Sequence, residues 1–465
     1  MGKFGAVSVP SAMRSDLMRE TGQQQEWPVV RLADIATKIR SGATPRGGAE
    51  TYLAKRKRHA LLRSQNVLDH RFTEAGLAFI SDSQADELKG AAVQEGDILL
   101  NITGDGATFG RACLVPKKVL PACVNQHVVL IRTDKTRCRS EYLLAWLTQP
   151  STKAYIESFN AGGSRRAITK GHIESFQLPL PPIAVQKEIS DLASSINNRI
   201  ELLTETNATL ERIAMTLFKA WFIDFNPVLA KAEGLLPEGI DAATAAIFPA
   251  AFTESPMGKI PDGWSTRRLD ECCDLNPRRD LRKGTLAPYL EMANAPTEGH
   301  RPEKLGTREL SSGTKFVNGD TLLAKITPCL ENGKTAFVDF LPDAVTAWGS
   351  TEFIVMCPRP PLPPYWAYLL ARLPAFRAFA IQSMTGTSGR QRVDVGRLGQ
   401  FMVAVPDQQV AKVFAQIVGP MQRKIAANAE TMDSLAAIRD AIFPRLISGA
   451  LSLPEHAEAI EGAIA

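Results

Sequence analysis

The strongest constraint on this chain is that most of it is written twice. GDILLNITGDGATFGRACLVP, from Gly96, has a counterpart in GDTLLAKITPCLENGKTAFVDFLP, from Gly319, displaced by 223 positions (319 − 96). EWPVVRLADIA, with Trp27 and Leu32, resembles GWSTRRLDECC, with Trp264 and Leu269, at an offset of 237. ITKGHIESFQLPLPP, from Ile168, resembles VDVGRLGQFMVAVPD, from Val393, at an offset of 225. A period this long is not that of a solenoid; it marks a duplicated module.

Each module closes on a long helical pattern. The first follows the seam Ile189, Leu192, Ile196, Ile200, Leu203, Asn207, Leu210, Ala214, Leu217, Trp221, in steps of 3, 4, 4, 3, 4, 3, 4, 3, 4. Adding 225 gives Phe414, Ile417, Met421, Ile425, Asn428, Met432, Leu435, Arg439, Ile442, Leu446, so the second helix repeats nearly the same stripe. Alternating steps of three and four are the periodicity of coiled coils, and the doubled four is a stutter. One such stripe alone fits an ordinary buried helix face. Two copies at one offset, each about 60 Å long at about 1.5 Å per residue, predict two helices that pair with each other. Asn207 and Asn428 are polar seam residues suited to fixing register.

Ahead of each helix the chain mixes strand and helix patterns. LAFI, ACVNQHVVLIR and STEFIVMCP read as strands, and SEYLLAWLTQPSTKAYIESF and PPYWAYLLARLPAFRAFAIQSM read as helices. The connector FNPVLAKAEGLLPEGIDAATAAIFPAAFTESPMGKIPDGW, rich in Pro and Gly, reads as mostly irregular. The expected fold class is therefore α+β: two globules and two long antiparallel coiled-coil helices in pseudo-two-fold duplicated halves.

Composition narrows the chemistry. With 45% hydrophobic and 22% charged residues over 465 positions, a soluble protein of two or three domains is expected. No uninterrupted apolar stretch reaches membrane-spanning length, and the first residues lack a charged-then-apolar signal pattern. Seven scattered Cys with no C-x-x-C pair read as reduced cytoplasmic thiols. The six His (His59, His70, His127, His172, His300, His456) show no metal-ligand spacing. Gly104, Gly106 and Gly110 lack the Gly-Lys-Ser/Thr ending of a P-loop and read as turn glycines between strands. DFNPVL and DLNPRR lack the second Pro and the aromatic residue of the loop with which amino-methylating enzymes hold a flipped base. No nucleophile motif is recognisable. These absences favour a binding protein over an enzyme.

What the chain does carry is clustered basicity on a mild net charge of +5. AKRKRHALLRSQN places Lys55, Arg56, Lys57, Arg58 and Arg63 in one segment. NAGGSRRAITKGH carries Arg165, Arg166 and Lys170 after a Gly pair, and TGTSGRQRVDVGR carries Arg390, Arg392 and Arg397 at the corresponding place in the second module. Gly and Ser let backbone approach a partner closely, and Arg makes forked contacts to phosphates or guanine edges. These eleven residues are the expected DNA-binding set. Phe218, Trp221 and Phe222, at the end of the first helix, are expected to combine core packing with docking of a partner subunit.

The run from LPLPPIAVQKEI through LFKAWFIDFNPVLAKAEG to IFPAAFTESPMGKIPDGW, with RSQNV, GDILLNITGDGATFGRACLVP and ETMDSLAAIRDAIFPRLISGAL, resembles the specificity subunits of Type I restriction–modification systems. The likeness covers nearly the whole chain after its N-terminal tail. It implies a flexible tail over 1–26, a first target-recognition domain over 27–182, a central spacer helix over 183–224, a linker and second target-recognition domain over 225–407, a C-terminal spacer helix over 408–450 and a tail over 451–465. It implies a non-catalytic, cytoplasmic subunit that serves defence against foreign DNA by reading a bipartite, asymmetric double-stranded target. Two modification subunits would bind S-adenosylmethionine and methylate adenine, and motor-nuclease restriction subunits would use ATP and Mg; no cofactor is expected in this chain and no membrane is involved. LPLPP becoming VAVPD, and KAWF becoming PRLI, in the second module implies that the two helices do not make identical subunit contacts. A specificity subunit of a methylase-only or two-sided-cutting system is the near alternative. A free-standing DNA methyltransferase, and a coiled-coil scaffold without a DNA role, are more distant ones.

Overall fold

The computed structural model describes residues 27–104, 108–160, 166–302, 304–387 and 389–452. The tails expected at 1–26 and over most of 451–465 lie outside them. The chain divides into two units, Met1–Glu201 with Met432–Ala465, and Leu202–Thr431.

In the first unit a four-stranded antiparallel sheet has the order Ala36–Ser41, Val128–Thr133, Ile98–Asn101, Ala112–Leu114. A three-stranded sheet has the order Ala78–Ile80, His59–Leu62, Ala122–Val124, its last pair parallel. Val29–Arg31 pairs with Gln177–Pro179 and closes the globule just before the long helix begins. The run ACVNQHVVLIR is two strands of different sheets, because the polar Asn125-Gln126-His127 turn breaks it. The helical stretch after it splits at Gln149-Pro150 into Ser140–Leu147 and Pro150–Ser158, proline taking the first helical position of the second piece.

The second unit repeats this wiring. Its four-stranded sheet runs Cys273–Leu275, Phe353–Pro358, Thr321–Ala324, Thr335–Phe337. Its other sheet runs Gly306–Glu309, Leu286–Leu290, Ala347–Gly349, Thr314–Phe316, the middle pair again parallel. Ser265–Arg268 pairs with Met402–Val405 in the closing position. Pro364–Arg372 and Pro374–Gln382 repeat the split helix. The connector is more ordered than its Pro and Gly content suggests: it holds the helices Asn226–Ala232 and Ala242–Ala246 and the hairpin Phe252–Ser255 with Gly258–Pro261.

The repeated Gly-Asp turn has the same physical job in both units. Gly96 and Gly319 sit at φ 80° and 93°, where a side chain would strain the backbone. The aspartates that follow, Asp97 and Asp320, are buried (2% and 1% exposed). Asp97 accepts the Gln94 amide at 2.8 Å and Asp320 the Val317 amide at 2.9 Å. Each carboxylate is then held by both arms of one guanidinium, Arg132 from the neighbouring strand in one unit and Arg279 from a loop in the other. A buried carboxylate is tolerated only when so paired.

The two long helices, Ile183–Phe222 and Gln408–Ser448, are packed together. No position of either ten-residue seam is exposed. In the second unit Asn207 meets Ile425 and Asn428, while Phe218 and Phe222, further along, meet Phe414, so the helices run antiparallel there. In the first unit Asn197 meets Arg439 at 3.2 Å.

Candidate nucleic-acid interface

The structure brings together two motifs that lie far apart in sequence. Beyond strand Ile98–Asn101 the chain continues into Thr103–Gly104, which pairs antiparallel with Arg166–Ala167. The Arg-bearing loop of the first unit therefore joins the glycine-containing hairpin. Asn101, fully buried, holds that hairpin by donating to the carbonyls of Ser64 and Thr108, both at 3.0 Å. His127 Nδ1 lies 2.6 Å from Thr103 Oγ1, and Gln126 bonds Thr44. Gly42 allows this approach: a Cβ there would lie 1.5 Å from the Val124 carbonyl oxygen. The second unit repeats the junction, where Arg392 bridges Ile326 and Thr327 donates to the Gln391 carbonyl at 3.1 Å.

The eleven basic residues separate by what they already hold. Arg56 donates to the carbonyls of Lys118, Val119 and Leu120 at 3.1, 3.0 and 2.8 Å, which ties down a loop. Arg63 donates to the Gly76 carbonyl and lies over the Tyr52 ring. Arg166 pairs with Glu157 at 2.8 Å, Lys170 with Glu174 at 3.1 Å, and Arg392 grips Glu352 with two nitrogens. Lys55, Lys57, Arg58, Arg390 and Arg397 are exposed, with no ion-pair partner among the described residues. Arg165 lies outside the described residues.

Basic residues also sit where sequence reading does not find them. Lys55–Arg58 belong to the connection between Ala36–Ser41 and His59–Leu62. Its counterpart, between Cys273–Leu275 and Leu286–Leu290, carries exposed Arg278, Arg282 and Lys283. Exposed Arg46 stands in the first connection, two residues from Thr44. The run NPRRDLRKG carries a basic signal, masked by its partial likeness to a base-holding loop. Both units thus place exposed cations, with no ion-pair partner among the described residues, on the same inter-sheet connection.

The aromatic cluster requires a correction. Phe218, Trp221 and Phe222 are 0, 1 and 4% exposed and cannot anchor a partner. Phe414 packs against all three, at ring separations of 6.2, 5.7 and 4.7 Å, and Trp366, Phe248 and Trp264 complete the packing around them. They are core because the stripe at 214, 218 and 222 runs alongside the seam and faces inward with it. The free apolar surface flanks this core, with Leu217 and Trp221 at its edge. An open groove of about 850 Å³ is lined by Ile213, Leu217, Leu229, Leu235 and Leu236 among others. Ile213, Leu229, Leu235 and Leu236 are 46, 45, 60 and 85% exposed. Its signals in sequence are an off-seam Ile213 and a Leu pair inside a turn-rich connector.

The described residues contain no group of three His, Cys, Asp or Glu placed to hold a metal. All seven cysteines are free, and burial pushes thiols such as Cys123 and Cys272 up to about 11, so they stay protonated.

Fold and surface define a class: a duplicated binding protein, two β-rich modules joined to paired helices and bearing matched basic loops. The family described as "Type I restriction modification DNA specificity domain" matches residues 24–212. The Type I restriction enzyme HindI specificity subunit of Haemophilus influenzae is 22% identical, over 83% of this chain and 93% of that protein. The MjaIX specificity subunit of Methanocaldococcus jannaschii is 22% identical over 93% and 95%. The crystal structure of the Type I S subunit from M. genitalium shares the fold, with a TM-score of 0.52, 13% identity and coverage of 93% of this chain and 98% of that one. The chain is thus similar over nearly its whole length to DNA specificity subunits of Type I restriction–modification systems.

Proposed function

We propose that this chain is such a specificity subunit and reads a split, asymmetric double-stranded DNA target, each module contacting one half-site while the paired helices set the gap. The observation that carries the reading is the repeated placement of exposed cations on one inter-sheet connection: Arg46, Lys55, Lys57 and Arg58 in one module, Arg278, Arg282 and Lys283 in the other. Such charges suit phosphates, which position a protein on DNA without carrying sequence information. Base reading falls to the junctions of hairpin and Arg loop, where Thr44, Gln126, His127 and Arg166 in one module, and Arg390 and Arg392 in the other, offer donors and acceptors. Arg165, Lys170 and Arg397 extend these surfaces. Differences in side chains between the modules make the half-sites differ.

The recognition domains span 27–182 and the later part of 225–407, with spacer helices over 183–224 and 408–450. Duplication suits the chain to two copies of a modification subunit. The groove at Ile213, Leu229, Leu235 and Leu236 seats one of them, since four exposed apolar side chains gathered on one concave surface suit a partner. S-adenosylmethionine belongs to those modification subunits, ATP and Mg to restriction subunits, and the whole works inside the cell.

Mapping methylated adenines in cells that express this chain with its modification subunits tests the proposal. One split sequence with unlike halves and a fixed gap is expected. Methylation at a continuous or palindromic site contradicts it.

A further inference from the structure

In the first unit the loop after the 3-10 turn Ser64–Asn66 ends in His70-Arg71. In the second, the loop after the 3-10 turn Met292–Asn294 ends in His300-Arg301. Both turns follow the strand that makes the parallel pair. The two histidines are therefore topological counterparts, although insertions hide this in a linear comparison.

Both rings reach toward the same position of their own module's helix. His70 Nδ1 lies 3.1 Å from the side-chain nitrogen of Asn197. Asn197 Oδ1 accepts in turn from Arg439 of the second long helix at 3.2 Å. His300 Nε2 lies 2.9 Å from Asp339 Oδ2 but outside hydrogen-bond geometry, while its Nδ1 is 3.1 Å from the Tyr365 hydroxyl; Asp339 Oδ2 itself accepts from Gln422 at 2.6 Å. Asn197 and Gln422 are separated by 225 positions (422 − 197), the offset that superimposes the two seams. The link from ring to helix is thus present in both copies, directly in one and through a carboxylate in the other.

The first copy holds its ring at a cost. His70 sits at φ 62°, a left-handed backbone that glycine adopts without strain. The loop around it is fixed: the His70 amide donates to the Ala112 carbonyl at 2.9 Å, and Asp69 accepts the Ala112 amide at 3.2 Å and pairs with Lys153. Burial and Arg439 keep the imidazole neutral at pH 7, so its Nδ1 can accept from Asn197. In the second copy Gly299, at φ 73°, takes the left-handed position, and the Arg301 side chain donates to the Ala426 carbonyl at 3.4 Å, one turn beyond Gln422.

We propose that His70–Asn197 and His300–Asp339–Gln422 are duplicated positioning contacts that fix each recognition module's orientation on its own long helix, and with it the gap length the protein accepts. The inference rests on the proposal above that paired helices set the gap. A module held by a hydrophobic footing alone can rock; the hydrogen bonds His70–Asn197 and Asp339–Gln422, at one helix position, stop the rocking. Rocking changes where a half-site must lie, not which bases are read.

The test compares wild type, Asn197→Ala, Gln422→Ala, His70→Asn and a four-residue insertion in both helices, each assembled with its modification subunits. Asparagine tolerates the left-handed backbone but is too short to reach Asn197, so His70→Asn serves if Asn197→Ala fails to fold. Methylated-site mapping reads base identity and gap length separately. The insertion is expected to move the single gap. The three point variants are expected to keep the same bases while methylating targets one base pair off the normal gap about fivefold more often, the factor for removal of one hydrogen bond. If the insertion moves the gap and the folded point variants still accept only one gap, these bonds do not position the modules. Changed base preference in those variants overturns the inference equally. An insertion that leaves the gap alone overturns the spacing role of the helices, and the inference with it.

Discussion

Asn428 donates its side-chain amide to Oδ1 of Asn207 at 2.7 Å, one asparagine from each long helix. Asn207 donates onward to the Ile425 carbonyl at 3.3 Å, and Asn428 is only 2% exposed. The pair satisfies itself inside an apolar seam and ties one helix to the other at one register. Asn428→Leu strands the Asn207 amide oxygen and is expected to lower stability by about 1–3 kcal/mol. The double change to Leu removes both polar groups and is expected to be neutral or stabilising, at the expense of register specificity. Thermal unfolding of the two singles and the double checks this; a double variant weaker than either single contradicts it.

The free and the engaged cations should part in a salt titration. Lys55, Lys57 and Arg58 changed together to Ala are expected to flatten the dependence of DNA affinity on salt, by up to about 0.9 in log–log slope for each phosphate left unneutralised, without altering the preferred sequence. Arg56→Ala, which removes three donors to loop carbonyls, is expected to lower thermal stability instead. An unchanged salt slope in the triple variant takes that loop off the DNA.

His70 makes stability pH-dependent in a defined window. Burial first, then the Arg439 charge, pull it from 6.5 to about 4, with Asp69 opposing and Lys153 assisting. Between about pH 6.5 and 4 the unfolded chain binds a proton that the folded chain refuses, so stability falls as pH falls through that window and is unaffected above it. His70→Asn should remove this contribution, of roughly 3 kcal/mol at full protonation of the unfolded chain. Melting temperatures of both proteins at pH 7 and pH 4.5 read it directly, and parallel losses in the two would contradict it.

Two apolar surfaces of the second unit predict opposite phenotypes. Trp221→Ala empties a core site and should cost about 3–5 kcal/mol. Ile213→Ser with Leu236→Ser touches only exposed side chains, so the chain should keep its stability within about 1 kcal/mol yet bind its modification subunit poorly. Co-purification of that double variant, alongside its melting curve, decides the matter; full assembly by the double variant removes the groove from the interface.

How much of this is legible in the sequence follows from the kind of signal each feature leaves. Both seams are readable because a helix samples its buried face every three or four residues, and the stripe repeats at a fixed offset. The paired globules are readable because the Gly-Asp turns need a left-handed glycine and a buried carboxylate, a local demand that appears in both copies. The partner of each aspartate is not: Asp97 is met by a residue 35 positions later and Asp320 by one 41 positions earlier. Phe218 and Phe222 mislead because helical spacing gives a face without saying what covers it. The histidine bonds stay hidden because the imidazole and its amide partner lie 127 residues apart and the loop before His300 is longer.

The spacing role of the helices is tested most directly by lengthening both at once. Four residues inserted near Glu205 and four near Glu430, a matched pair across the antiparallel seam, add about one turn, or roughly 5–6 Å. A four-residue insertion is a stutter and nearly preserves the stripe. DNA rises about 3.4 Å per base pair, so methylated-site mapping should find the gap longer by about one to two base pairs with both half-sites unchanged. A gap of unaltered length, in a protein that still directs methylation, would mean that the helices pack the modules together but do not measure the distance between their targets.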